Sequence, residues 1–210
     1  ISAFVAVMPI SLNINGGTGD IPRYTTAISG GTYTFNISSA ESLTNGNAEF
    51  YYFSDDKDKL DFTDTRYDTS NTYSRPIDEI KSSSATRLKL YARYAEYSTS
   101  NWTMDNSGCV LYTGTGATGK FLSSNSNDST NFVVVPKTMS NTVVKGLQDN
   151  AFTSLGSTVS YILLPGGEFV TIGATMFGTS NAVKKIQLPS GISSIAVATF
   201  RNASNLTNFV

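Results

Sequence analysis

Histidine is absent from the 210 residues of this chain. Without it, neither a Ser-His-Asp nor a Cys-His nucleophile can be built, and the usual zinc ligand sets lose a member. Cysteine is nearly absent too. Cys109 stands alone, so no intramolecular disulfide staples the fold, and the residue is expected to pack as a small buried hydrophobe. Charge is scarce and balanced, with 15 basic and 16 acidic residues for a net charge of −1. There is no basic cluster, which sets nucleic acid aside as a partner. No apolar run approaches the roughly 20 residues that cross a bilayer, so no membrane insertion is expected of this segment. The opening ISAFVAVMPI has neither a charged leading region nor the length of a complete signal peptide. Because the chain starts at Ile1, it is expected to be a trimmed piece of something longer.

What remains is apolar residues, at 40% of the chain, set in a background of Ser, Thr, Asn and Gly. Surfaces hydrated by hydroxyls and amides are typical of β-rich extracellular or virion proteins. The length accommodates one large domain or two small ones. The pattern favours two, divided near residue 130.

A period of two dozen residues runs through the last third. Phe152, Phe177 and Phe200 are 25 and 23 residues apart; Ile162, Ile186 and Phe209 are 24 and 23 apart; Leu147, Ile172 and Ile195 keep the same register. Each unit holds a β segment, V-x-x-I-x-L-P, in Val159–Pro165 and again in Val183–Pro189. Its alternate residues point inward, and proline ends the pairing because it has no N–H to give. Phe132 to Pro136 supplies an earlier copy, followed by a longer connection. One such unit cannot bury its own apolar face, so a stacked solenoid is expected. By the period, Val210 falls one residue before the place of Leu164 and Leu188, and further repeats are expected to follow it.

An aromatic after a small or apolar residue, a polar stretch, then V-x-x-I-x-L-P and Gly resembles the BspA-like leucine-rich-repeat family. Ala151-Phe152, Ile162-x-Leu164-Pro165-Gly166 and Ile186-x-Leu188-Pro189-x-Gly191 carry the resemblance. The family's usual Cys- or Ser-rich turn is replaced here by TSLGST, GTSNA and RNASN. The resemblance covers residues 131–210. It implies a surface-exposed, non-catalytic adhesion or display module of the kind found in host-associated bacteria and on proteins of their phages.

Residues 1–130 read as an antiparallel β domain, a sandwich or jelly roll, for docking, attachment or binding. Candidate strands are 3–14, 24–37, 48–53, 86–97, 109–113 and 120–123, with turn clusters such as NINGGTGD between them. Tyr33, Phe35 and Ile37 alternate with Thr34 and Asn36, as do Leu88, Leu90, Ala92 and Tyr94 with their neighbours. The polar segment 54–84 is expected to be a surface excursion with at most a short helix over 76–81. Excursions of that length are either functional or mobile.

Asp55, Asp56 and Asp58, followed by Asp61 and Asp64, form the densest acidic cluster and supply the hard oxygens that Ca²⁺ takes. Their spacing is not that of an EF-hand loop, and Lys57 and Lys59 offset their charge, so a solvated loop is favoured over a calcium site. Tyr91, Tyr94, Tyr97 and Trp102 offer a stacking platform for sugar rings, against the commoner role of strand aromatics in cores and cross-strand pairs. The stretches around Gly16–Gly19 and Gly114–Lys120 lack G-x-x-x-x-G-K-[ST], because Phe121 follows Lys120, and are expected to be turns. Sequons at Asn36, Asn101, Asn127, Asn202 and Asn205 are common by chance in so Asn- and Ser-rich a chain.

No cofactor or metal is implied, and no catalytic constellation. The expectation is a non-catalytic binding module at an extracellular, cell or virion surface, its partner a host surface protein or glycan. Two alternatives stand beside it. One is a structural phage component, a head, fibre or decoration protein that self-associates or docks on other virion proteins. The other, more remote, is a glycan-active enzyme domain with appended repeats, since any two carboxylates at the right separation suffice for glycoside hydrolysis.

Overall fold

The computed structural model describes residues 10–76, 87–122, 131–179 and 181–209. Among these, the regular structure is all β strand, with no helix. The helix expected near 76–81 falls mostly on residues outside the described set, as does the start of the first candidate strand. The first eleven strands are β1 (Ile10–Asn13), β2 (Tyr24–Ser29), β3 (Thr32–Ile37), β4 (Thr44–Asn45), β5 (Ala48–Ser54), β6 (Arg66–Tyr67), β7 (Thr72–Pro76), β8 (Leu88–Tyr97), β9 (Trp102–Met104), β10 (Cys109–Tyr112) and β11 (Gly119–Phe121). The rest are short: β12 (Phe132–Val134), β13 (Thr138–Met139), β14 (Thr142–Val143), β15 (Gly146–Leu147), β16 (Tyr161–Leu163), β17 (Thr171–Ile172), β18 (Lys185–Gln187), β19 (Ser194–Ile195) and β20 (Asn208–Phe209).

Two sheets share the first core. One is built around β8, with β5, β1 and β11 against it and β4 and β6 on β5; the other runs β2-β3-β7. Tyr33, Phe35 and Ile37 of β3 are buried while the residues between them are half-buried, the alternation that their spacing predicts. They meet Phe50, Phe53, Leu90, Ala92 and Tyr94 from the larger sheet. Pairing in these sheets is antiparallel with one departure from the expectation: β1 runs parallel to β8. More than seventy residues lie between the two, and only a long connection allows parallel neighbours.

The larger sheet is covered on both faces. A register shift between Phe50 and Tyr52 inserts one extra residue in β5 opposite β8. Such a bulge breaks the alternation of side chains. Phe50 and Phe53 therefore point into the first core while Tyr51 and Tyr52 point away, into a second cluster with Phe62, Ala95, Phe121, Phe132, Val134 and Leu163.

The third core lies inside a ladder of parallel strands. β12, β16, β18 and β20 pair in parallel, aligning Val133, Ile162, Ile186 and Phe209 in one column. β10, β15, β17 and β19 form a second parallel column, aligning Val110, Leu147, Ile172 and Ile195. On a third side Phe152 bridges Phe177 in parallel, their rings stacked with centroids 6.0 Å apart. Positions one period apart in the sequence are thus register partners in space. Val133, Ile162 and Ile172 are wholly buried, and each such side chain contributes about 1.5–3 kcal/mol by leaving water. Parallel pairing continues upstream of residue 131. β10 stacks beneath β15, and β9 folds back on β10 as an antiparallel strand that closes the lower end. Trp102 packs there on Tyr112 and Phe152, with ring centroids 5.0 and 6.1 Å away.

Candidate functional site

The ladder has two long faces, and the N-terminal sheets occupy one of them. Along the β12-β16-β18 face the side chains between the inward column, Phe132, Val134, Leu163 and Gln187, are fully buried. They face outward from the ladder and into the second cluster, where Phe62 meets Phe132 edge-on at 5.4 Å and Phe132 stacks on Tyr161 at 4.9 Å.

Polar contacts fix three successive rungs on this face. Tyr51 donates its hydroxyl to the Val135 carbonyl at 2.8 Å, and burial holds that phenol well above its usual titration range. Arg66 donates from Nη1 to the Leu164 carbonyl at 2.9 Å and from Nε to Asp68 Oδ1 at 2.8 Å. Asp68 Oδ2 accepts from the backbone N–H of Ser190 at 2.8 Å and from its hydroxyl at 3.0 Å. Further along, Lys185 Nζ donates to the Asp61 carbonyl at 2.8 Å. Gly166 is required beside this clamp: a Cβ there would lie 2.5 Å from Asp68 Oδ1.

The acidic cluster does not gather around one point. Asp55 accepts from the Thr65 N–H at 2.8 Å, and Asp56 accepts from the N–H groups of Asp58 and Lys59 at 2.8 and 3.0 Å. These bonds, that from Asp58 foremost, hold the Asp56 carboxyl below its ordinary value. Asp58 forms an ion pair with Lys57. Asp64 turns inward instead, accepting from Ser54 Oγ at 2.5 Å and Tyr52 at 3.3 Å, with Arg93 Nη1 at 3.5 Å. Among the described residues, no three His, Cys, Asp or Glu side chains come together in a way that would hold a metal ion.

The aromatic platform is also dispersed, and two of its members are corrected from surface to interior. Tyr94 and Trp102 are buried. Tyr94 lies in the first core with its hydroxyl on the Ile14 carbonyl at 2.7 Å, and desolvation pushes it up to about 12. Trp102 belongs to the ladder core. Tyr91 and Tyr97 are half-buried on the opposite side of β8 from Tyr94; Tyr97 donates to Glu49 at 2.9 Å. The alternation along β8 forces this split, since neighbours two apart share a face and neighbours three apart do not. The sequence singles out neither the three residues that carry the junction, Tyr51, Arg66 and Asp68, nor Arg93, which is buried beside Asp64 within the N-terminal sheets. Arg93 alone left a signal, a cation between Ala92 and Tyr94 in the middle of β8.

The β10-β15-β17-β19 face is open. A shallow groove of about 700 Å³ crosses it, lined by Cys109, Gln148, Thr171, Gly173, Ser194 and Ala196 among others. Gln148 is held by a bond from its Nε2 to the Cys109 carbonyl at 2.8 Å. Burial, and secondarily Asp105, push the Cys109 thiol up, which makes it a poor nucleophile. A smaller cleft of about 530 Å³ sits beside the clamp, with Ser39, Ser70, Asn71, Thr138 and Glu168 on its walls. The Lys137–Glu41 ion pair, 2.5 Å long, joins the two parts of the molecule at its rim.

Fold and site together define a mainly β protein in which N-terminal sheets are clamped to one face of a parallel ladder while the other face stays open. Compared with known proteins, the chain matches no family model, no curated protein and no solved structure.

Proposed function

We propose that this chain is a non-catalytic adhesion or binding module, in which a leucine-rich-repeat solenoid of the BspA-like type displays its open face to a surface protein or glycan. The facing N-terminal sheets form on this reading a β-sandwich that attaches and braces the solenoid, and the location is extracellular, at a cell or virion surface. One observation carries the reading: the groove on the β10-β15-β17-β19 face runs across four rungs, its small polar and apolar side chains joined by the charged Asp105, Lys145 and Asp149, whereas the opposite face is consumed by internal packing. Extended ladder faces of this kind are the usual binding surfaces of stacked-repeat proteins.

The test is binding to arrays of glycans and matrix proteins, repeated with Thr171→Arg and Ser194→Arg, which fill the groove from two adjacent rungs. Binding that is lost in both variants, together with slower alkylation of Cys109 when the bound species is present, supports the reading. Binding indifferent to both substitutions removes the groove from it.

A virion component is the second reading, favoured by the long uncharged edge of β2, whose six residues are all exposed. Such a protein would co-purify with particles; recovery only as a free monomer counts against it.

A further inference from the structure

Strand β2 pairs with β3 on one side, and no described strand pairs with its other edge. Its register sets Tyr24, Thr26 and Ile28 opposite Ile37, Phe35 and Tyr33. Residues directly opposite in a sheet share a face, so these three continue the core-facing side of β3. Their partners are buried, yet Tyr24 and Ile28 are each 40% exposed: the sheet overhangs its own core.

The hairpin geometry fixes where the free hydrogen-bonding groups point. Gly30 and Gly31, at φ 57° and 81°, join Ser29 to Thr32 in a two-residue turn of the type that needs both residues left-handed. The pair flanking such a turn exchanges hydrogen bonds, and the roles alternate from there. Ser29, Ala27 and Thr25 therefore turn N–H and C=O towards β3, while Ile28, Thr26 and Tyr24 turn theirs outward. Arg23 follows the alternation, accepting from the Ser38 N–H at 2.8 Å. The edge carries none of the usual protections: YTTAIS has no lysine, no proline and no charge, and the pairing is unbroken by a bulge.

We propose that β2 is a docking strand for a second copy of this chain, pairing antiparallel with its counterpart about a two-fold axis through Thr26. Only Tyr24, Thr26 and Ile28 have outward groups, so a register that uses all three sets Thr26 against the partner's Thr26 and Tyr24 against the partner's Ile28. The surface is self-complementary, as an isologous interface requires: two aromatic–β-branched pairs flank a Thr–Thr pair, all of them favourable cross-strand combinations. Charge is compatible as well. The strand is neutral, and Arg23 falls opposite the partner's Ser29, which keeps the two guanidinium groups at opposite ends of the ribbon. One added strand pair buries less than the ~1,000 Å² that a stable interface clears, so the dimer is weak and concentration-dependent. The inference goes beyond the adhesion reading and does not depend on the groove.

Sedimentation equilibrium of the full chain, from roughly 1 μM to 1 mM to span weak affinities, tests it. The wild type is expected to pass from monomer to dimer, and no further. Thr26→Pro, which deletes the outward N–H on the axis, abolishes the dimer, whereas Thr25→Val, whose polar backbone groups face β3, leaves it intact. Tyr24→Glu and Ile28→Lys each weaken it by about tenfold, and the double variant restores it through cross-strand ion pairs that only the stated register brings together. Circular dichroism confirms that each variant is folded. A wild type that stays monomeric at the highest concentration, a dimer that survives Thr26→Pro, or a double variant weaker than both singles overturns the proposal.

Discussion

Asp68 Oδ2 lies 2.8 Å from the backbone nitrogen of Ser190, although 122 residues separate the two in the chain. Asp68 also holds Arg66, whose guanidinium reaches the Leu164 carbonyl one rung earlier. The two side chains are 1% and 4% exposed, so the pair binds the turns after two successive ladder strands from a site without solvent.

Removing one partner from a buried ion pair leaves the other uncompensated, at a cost of about 3–5 kcal/mol. Asp68→Ala is expected to lower stability by that amount in urea unfolding, with Arg66→Met/Asp68→Leu losing less than the single variant. Gly166→Ala, which intrudes on Asp68 Oδ1, is expected to act in the same direction. An Asp68→Ala protein as stable as the wild type would show that the clamp carries no net stability.

Ile162 stands mid-column with Val133 on one side and Ile186 on the other. Ile162→Ala is expected to cost about 2–5 kcal/mol, the range for an aliphatic side chain cut back in a packed core. Ile195, at the last described rung of its column, is 46% exposed, and Ile195→Ala is expected to cost far less. Equal midpoint shifts in the two variants would contradict the burial pattern.

Burial raises the phenols of Tyr51, Tyr52 and Tyr94, the last to about 12. A tyrosine raised above its unfolded value of ~10 keeps its full stabilising contribution below that value and loses it as pH climbs through the folded one. Alkaline unfolding is therefore expected to coincide with delayed tyrosinate absorbance, between about pH 10 and pH 12 for Tyr94. In Tyr94→Phe the tyrosinate signal should lose a late-titrating component; a signal that rises in full near pH 10 in the folded wild type would refute the assignment.

Cys109 is expected to react slowly with a thiol reagent at neutral pH, because a raised thiol carries less thiolate. Unfolding in guanidinium should accelerate the reaction by exposing the group. Alkylation kinetics of folded and unfolded protein provide the comparison.

The ladder columns were legible in the sequence because Ile162, Ile186 and Phe209 repeat at one interval, and parallel stacking preserves that interval in space. β10 was not: Cys109–Tyr112 lies 37 residues before Gly146 in the chain, outside the period, and lacks the Leu-Pro ending. The alternation in β3 and along one face of β8 was equally plain. Tyr94 and Trp102 are hidden for separate reasons, Tyr94 facing the first core from β8 and Trp102 lying on β9 in the ladder core, and a periodicity of two does not say which side of a strand is covered. The clamp left least trace, since Arg66 and Asp68 sit in a polar stretch that reads as solvated until the ladder closes over it.

The single extra residue near Tyr51 in β5 has a consequence for transplantation. Because it lets one strand feed two cores, Phe50 and Phe53 cannot be shifted by one position without also rotating Tyr51 and Tyr52 out of the junction. Deleting a residue there would uncouple the halves of the molecule in one step, and any chimera that moves the ladder onto another scaffold must carry the kinked strand along as part of its socket.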